Sequence, residues 1–168
     1  MVLRFRDLVT DLGGTIAEHR SILRSYRSVW WGWMMRQQEH VPRPFLCELK
    51  RAVAAAGTVT VLLYDTGQNQ LYRCALLRLA VAPPGIRIAS PEPEKTPEYY
   101  NRGRYPAWFC FTTIDETGFS PDRFYFDSFP TRPEGPYLDF VIDQQLKDLQ
   151  TLRQHDVTLW VLRERRDA

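Results

Sequence analysis

The chain lacks any apolar run long enough to cross a bilayer: stretches such as TVTVLLY fall far short of the roughly 20 residues a spanning helix needs. Its N-terminus, MVLRFRDLVTD, has basic residues but no apolar core followed by a small-residue cleavage site. No signal peptide is read, and the chain is expected in the cytoplasm, with no membrane partner. Cysteine is scarce. Cys47, Cys74 and Cys110 are odd in number and widely spaced, which excludes a disulfide framework; each sits in an apolar run and is expected reduced and buried. Glycine-rich phosphate loops are missing too, since neither G-x-G-x-x-G nor G-x-x-x-x-G-K-[ST] occurs, and NRGRYP and DTGQNQ hold one glycine each. His19, His40 and His155 lie far apart with no second ligand at metal-binding spacing. Cys47 and His40 carry no nucleophile signature around them, and the acid pairs Asp115 with Glu116 and Glu92 with Glu94 fall in turns. With no catalytic constellation, metal set or cofactor motif, the chain is expected not to be an enzyme. A strong charge of one sign is also absent: the formal net charge is +2.

What the sequence does contain is concentrated. Three of its five tryptophans, Trp30, Trp31 and Trp33, stand within VWWGWM around Gly32. Residues 1–51 carry nine Lys or Arg against five Asp or Glu, whereas the remainder carries 13 against 15. The basic part is therefore the part with the clustered indoles, and Arg20, Arg24, Arg27, Arg36 and Arg43 flank them. Cations beside flat rings are what phosphate and base contacts require, although a solvated helix face has the same composition. If VWWGWM is extended, Trp31 and Trp33 share one face and Trp30 shares the other with Met34, while Gly32 lets another group approach the backbone. The alternation leaves open which face points to the core.

At 168 residues the chain has the size of one domain and buries about two-thirds of its unfolded surface. Thr15 followed by Glu18 reads as a capping box opening a helix to about Tyr26, with Ile16, His19, Ile22, Leu23 and Tyr26 on one inward stripe. A second helix runs from Pro44 to the terminator Gly57. TVTVLLYD and LYRCALLRLAVA, separated by DTGQNQ, read as an antiparallel hairpin, followed by a short strand, IRIAS. The segment PEPEKTPEYYNRGRYP, with four prolines, is a long functional-type loop. AWFCFTTID and RFYFDSF are further strands, a helix is expected over 139–155, and VTLWVLRER is a final strand that pairs with an early one. About six strands with irregularly placed helices exclude a doubly wound sheet and predict an α+β domain, a small mixed β pseudo-barrel with flanking helices.

The indole segment after an N-terminal helix, the hairpin TVTVLLYDTGQNQLYRCALLRLAV, the proline-rich stretch with TPEYY and the strand YPAWFCFTTID together resemble the PUA-like superfamily, especially its EVE, ASCH and YTH relatives. The similarity is one of layout over most of the chain. It implies a single PUA-like domain over 1–168, helical over 1–57 and barrel-forming over 58–168. It also implies a non-catalytic module that recognises a nucleobase, modified or not, in DNA or RNA through an aromatic pocket. By position, ligand-binding roles fall to Trp30, Trp31, Trp33, Tyr64, Asp65 and Trp108, and phosphate-binding roles to Arg36, Arg102 and Arg104, with Tyr99, Tyr100 and Tyr105 at the pocket mouth. Such modules often serve as sensors beside an effector protein in a larger bacterial system. Two other readings fit the same residues: a small-molecule nucleotide sensor, and an interaction module docking a protein partner through a flat patch of exposed aromatics.

Overall fold

The computed structural model describes residues 1–7, 13–129, 145, 146, 148–155 and 157–165. The described elements, in chain order, are β1 (Val2–Phe5), α1 (Gly14–Tyr26), β2 (Val29–Gly32), α2 (Arg43–Ala56), β3 (Val59–Asp65), β4 (Gln70–Val81), a 3-10 turn (Pro93–Lys95), α3 (Glu98–Asn101), β5 (Ala107–Thr117), β6 (Phe124–Ser128), β7 (Gln145–Leu146), α4 (Leu149–Gln154) and β8 (Leu159–Glu164). The class is α+β, as the sequence predicts. All eight strands belong to one mixed sheet in the order β2-β5-β4-β3-β1-β8-β6-β7.

The hairpin forms as read, with Val59 opposite Leu76 and Asp65 opposite Gln70. Its turn is fixed by Asp65, whose Oδ1 accepts from the Gly67 amide at 2.8 Å, an Asx turn, and by Asn69 in the left-handed region. The β4–β5 ladder is irregular at Leu76: Ala75 faces Thr113, Leu76 faces Phe111 and Arg78 faces Cys110. Such bulges increase twist and bend a strand. The IRIAS segment forms no strand of its own, only one bridge between Ile88 and Tyr105.

Two strands arise in the segment read as helical. β1 runs parallel to β3, with Val2 opposite Leu62, and β8 lies antiparallel on its other side, with Leu3 opposite Leu159. The final strand thus does pair with an early one, but within the sheet rather than at its edge. VWWG is extended, β2 pairing with β5 so that Gly32 stands opposite Trp108.

Six strands, from β2 to β8 in spatial order, curl far enough that their ends approach each other. No ladder joins β2 to β8, so the sheet is not closed into a barrel, and side chains span the seam. Trp33 Nε1 donates to Thr158 Oγ1 at 2.9 Å. The buried Glu39 carboxylate then accepts from the Thr158 amide at 2.7 Å, the Thr158 hydroxyl at 2.6 Å, the Leu159 amide at 3.1 Å and the Arg36 amide at 2.8 Å. One carboxylate satisfies donors that a ladder would otherwise pair.

The helices differ from their expected details. In α1 Thr15 lies inside the first turn, and the cap comes from Asp7, which accepts from the Gly13 amide, the Thr15 amide at 3.1 Å and the Thr15 hydroxyl at 2.5 Å. The Thr15–Glu18 capping box is therefore not formed: a carboxylate from the β1–α1 connection occupies the orphan donors. α2 has Pro44 in its first turn, buries Leu46, Leu49 and Val53, and ends at Gly57 with φ 79°. Cys47 lies on its outer face and is exposed, contrary to expectation, while Cys74 and Cys110 are buried; all three are free thiols. Of the helix expected over 139–155, Leu146 belongs instead to β7, only Leu149–Gln154 is helical, and residues 139–144 lie outside the described residues. Both sheet faces are buried: a large core holds α1, α2 and the β2–β5 indoles, and a smaller one gathers Tyr64, Phe126, Leu152 and Trp160. No helix among the described residues is long and apolar enough to cross a membrane.

Candidate functional site

The seam between β2 and β8 leaves a cavity of about 860 Å³, within the size range of small-ligand pockets. Strand alternation decides which tryptophans reach it. Trp31 and Trp33 line the cavity together with Leu3, Phe5, Tyr100 and Tyr105. Trp30 projects to the opposite face, where its Nε1 donates to Glu92 Oε2 at 2.8 Å and the Arg78 guanidinium lies 5.2 Å from its ring centroid. Glu92 also accepts from Lys95 Nζ at 2.5 Å and pairs with Arg78. These donors, Lys95 foremost, hold its carboxyl down at about 2, and they pin the proline-rich segment to the sheet.

The cavity rings are packed against protein. Trp30, Trp31 and Trp33 are each 2% exposed and Trp108 is 0% exposed. His19 lies tilted against Trp31 at 4.4 Å between centroids, Phe5 meets it edge-on at 4.9 Å, and Tyr100 lies 5.8 Å away. His19 is wholly buried, and desolvation lowers its pKa to about 4 against a helix-carbonyl bond to Thr15 that favours the proton. It is therefore a neutral spacer behind the wall. Gly32 faces no void: a Cβ there would lie 2.6 Å from Tyr105 Cδ2. The close approach that the glycine permits is made by a tyrosine of the chain itself. Tyr105 is wedged edge-on against Trp108 at 5.0 Å and Tyr100 at 5.5 Å. The proline-rich segment thus packs through its own rings and at the same time supplies two of them to the cavity wall.

The charged part of the wall is more informative. Arg4 and Arg6 from the end of β1, Arg36 after β2, Arg87 in the turn beyond β4 and Arg153 on α4 all line the cavity. Asp7 is the one acid among them, and its oxygens are committed to the start of α1. Glu39, behind Arg36, is equally committed to the seam. Arg6, Arg36, Arg87 and Arg153 are exposed and have no carboxylate partner among the described residues. Elsewhere arginines are mixed in this respect: Arg20 pairs with Glu116, Arg78 with Glu92, Arg102 with Glu98, Arg123 with Glu164 and Arg163 with Asp127, whereas Arg24, Arg27, Arg51, Arg73 and Arg104 form no ion pair among the described residues.

Of the residues singled out in the sequence, Trp31, Trp33, Arg36, Tyr100 and Tyr105 are brought together at this cavity. The others lie elsewhere. Trp108 is buried with its Nε1 on the Ile88 carbonyl at 2.9 Å. The Tyr64 hydroxyl lies 2.6 Å from Asn69 Oδ1 and 3.0 Å from the Leu149 carbonyl, where it anchors α4. Asp65 holds the hairpin turn, and burial raises its pKa. Arg102 and Arg104 are exposed on the far side of α3 and do not line the cavity. Arg4, Arg6, Arg87 and Arg153 were not singled out. The alternation of Arg4 with Arg6 in VLRFRD was the one local signal for two of them.

A curled sheet with flanking helices and a concave, arginine-lined cavity at its open seam defines a pseudo-barrel-type α+β domain. The chain belongs to the PUA-like family, whose model matches residues 1–168. The family is often nucleic-acid binding, and its domains are generally binding modules rather than enzymes. No curated protein and no solved structure matches the chain.

Proposed function

We propose that residues 1–168 act as one non-catalytic PUA-like unit in the cytoplasm that binds nucleic acid at the seam cavity, taking in a nucleobase while the surrounding arginines hold phosphate. The observation that carries this reading is the sorting of charge. Among the described residues, five arginines and one acid, Asp7, line the recess, and that acid is already spent on a helix start. Phosphate contacts supply most of the affinity of such an interface and make it salt-dependent. Trp31 and Trp33 form the apolar floor against which a planar ring can rest. His19 packs on Trp31 with Phe5 edge-on to it, and both indoles are buried, so the base meets ring edges and the Met34 side chain at the mouth rather than an open sandwich of indoles. Trp30, Tyr64 and Trp108 support this wall from behind or from the second core, and Arg36 is the phosphate-binding residue that both sequence and geometry favour. A sensor role beside an effector protein is compatible with one recess and no catalytic group at it.

The protein-docking reading calls for a flat patch of exposed aromatics. The exposed large hydrophobics among the described residues are Tyr26, Met34 and Ile86, a set with one aromatic ring, so the recess is the better-supported surface. The test is fluorescence anisotropy with short labelled RNA and DNA strands over a salt series. Binding at low salt is expected, with log K falling linearly in log salt. Arg36→Gln reduces that slope by about one while leaving the circular dichroism spectrum unchanged. Absence of binding to every strand at 50 mM salt, about the low end of the useful range, would refute the reading.

A further inference from the structure

The same charge sorting points to a particular kind of phosphate. A strand passing along a protein surface presents one negative charge per nucleotide, and proteins that follow it place their cations in a track. Here the cations are gathered from across the fold rather than along one element. Arg6, Arg36, Arg87 and Arg153 come from four separate parts of the chain, the end of β1, the segment after β2, the turn after β4 and α4, and all border one recess. Among the described residues, Arg4 and Asp7 complete the charged part of the wall.

The recess has an aromatic floor. Trp31, Trp33, Tyr100 and Tyr105 are buried, and Trp33 is bonded to Thr158 across the seam. An internal phosphodiester brings one charge and two free oxygens, and its neighbours continue away on both sides. A terminal phosphate monoester brings about −1.5 to −2 charges at pH 7 and three strong acceptor oxygens at one point. Guanidinium forks converging from several directions match that geometry through paired N–H···O bonds.

We infer that the seam cavity recognises the terminal phosphate of a nucleotide, so that the preferred ligand is a phosphorylated nucleotide end rather than the interior of a strand. The inference rests on the reading of the cavity as a nucleic-acid site. The terminal phosphate can be carried by a strand end or by a free nucleotide, and the experiment separates the two sources.

Eight-nucleotide strands of one sequence with a 5′-hydroxyl, a 5′-phosphate or a 3′-phosphate, labelled at the opposite end, are titrated with the full chain. A nucleoside monophosphate and a triphosphate are titrated by calorimetry. A phosphorylated end is expected to bind at least tenfold more tightly than the hydroxyl end, and the advantage should shrink as pH falls through about 6, the second ionisation of a phosphate monoester. Arg87→Gln and Arg153→Gln each diminish the advantage at least threefold. Arg123→Gln, which alters a guanidinium paired with Glu164 away from the recess, does not. Equal affinity for hydroxyl and phosphate ends overturns the inference and leaves the nucleic-acid reading standing. Binding of the triphosphate with no binding of any strand supports the terminal-phosphate site, assigns it to free nucleotides and removes the nucleic-acid reading. No binding of any probe overturns both.

Discussion

Glu39→Ala tests whether one side chain holds the sheet's open seam together. The carboxylate accepts four hydrogen bonds, from the Arg36, Thr158 and Leu159 amides and the Thr158 hydroxyl. Bonds to a charged acceptor contribute about 1.5–3 kcal/mol each, and a buried donor left unpaired costs about 1–3 kcal/mol. The Thr158 and Leu159 amides are buried and have nowhere else to turn, whereas the exposed Arg36 can recover water. The net loss is therefore about 3–5 kcal/mol, which for a chain of this size lowers Tm by about 10 °C or more. Glu39→Gln keeps one acceptor oxygen but turns an NH2 group toward a donor and should cost about 1–2 kcal/mol. Thr158→Val strands the Trp33 indole N–H, so the Glu39→Gln and Thr158→Val effects should couple by about 0.5–3 kcal/mol in a double-mutant cycle. Urea unfolding followed by tryptophan fluorescence and circular dichroism gives each value, with an unchanged m indicating an unchanged denatured state. A Glu39→Ala loss below about 0.5 kcal/mol, the range of ordinary surface substitutions, would refute the bridging role.

His19 is held neutral by burial with its pKa at about 4. Between pH 6.5 and 4 the unfolded chain takes up a proton that the folded chain refuses, so this residue removes up to about 3 kcal/mol of stability over that window and none above it. His19→Phe should flatten that part of the pH–stability curve relative to wild type; identical slopes would count against a buried neutral imidazole. Gly32→Ala places a methyl 2.6 Å from Tyr105 Cδ2 and should cost about 1–3 kcal/mol, with most of the cost removed in a Tyr105→Ala background, as measured by denaturant midpoints. A thiol reagent should modify one cysteine in the native state, Cys47, and three after denaturation, because Cys74 and Cys110 are buried; fast modification of a second thiol would contradict their packing.

The elements that the sequence makes legible are those with local chemistry. α2 is bounded by a proline and a glycine, the β3–β4 hairpin by β-branched runs around a polar turn, and β5 and β6 by aromatic alternation. Alternation in VWWGWM put Trp31 and Trp33 on one face but left the choice of face to tertiary packing, and Met34, expected beside Trp30, lines the cavity with Trp31 and Trp33 because β2 ends at Gly32. What escaped was set by distant partners. β1 is four residues long and is a strand because β3 and β8 flank it, which nothing in VLRF announces. The Thr15 cap was lost to Asp7 for the same reason, since a carboxylate outside the helix reached the donors first. Arg87 and Arg153 join Arg36 at the cavity only through the curl of the sheet, so the gathering of cations is a tertiary property. Arg102 and Arg104 looked suitable because they stand among tyrosines in sequence, but neither lines the cavity.

The position of β1 has a consequence for how the molecule comes into being. It precedes the other described strands in the chain, yet one of its neighbours, β8, follows them all. The β3, β4, β5 and β2 part of the sheet can assemble from the middle of the chain, while the β1–β8 pair must wait for a loop of more than 150 residues to close, and long-range pairing of this kind is slow. Leu3, Arg4, Phe5, Arg6, Arg153 and Thr158 all belong to that late pair or its flanks, so the recess is completed only when β1 and β8 dock. A chain caught before that step would carry most of its core and no binding site.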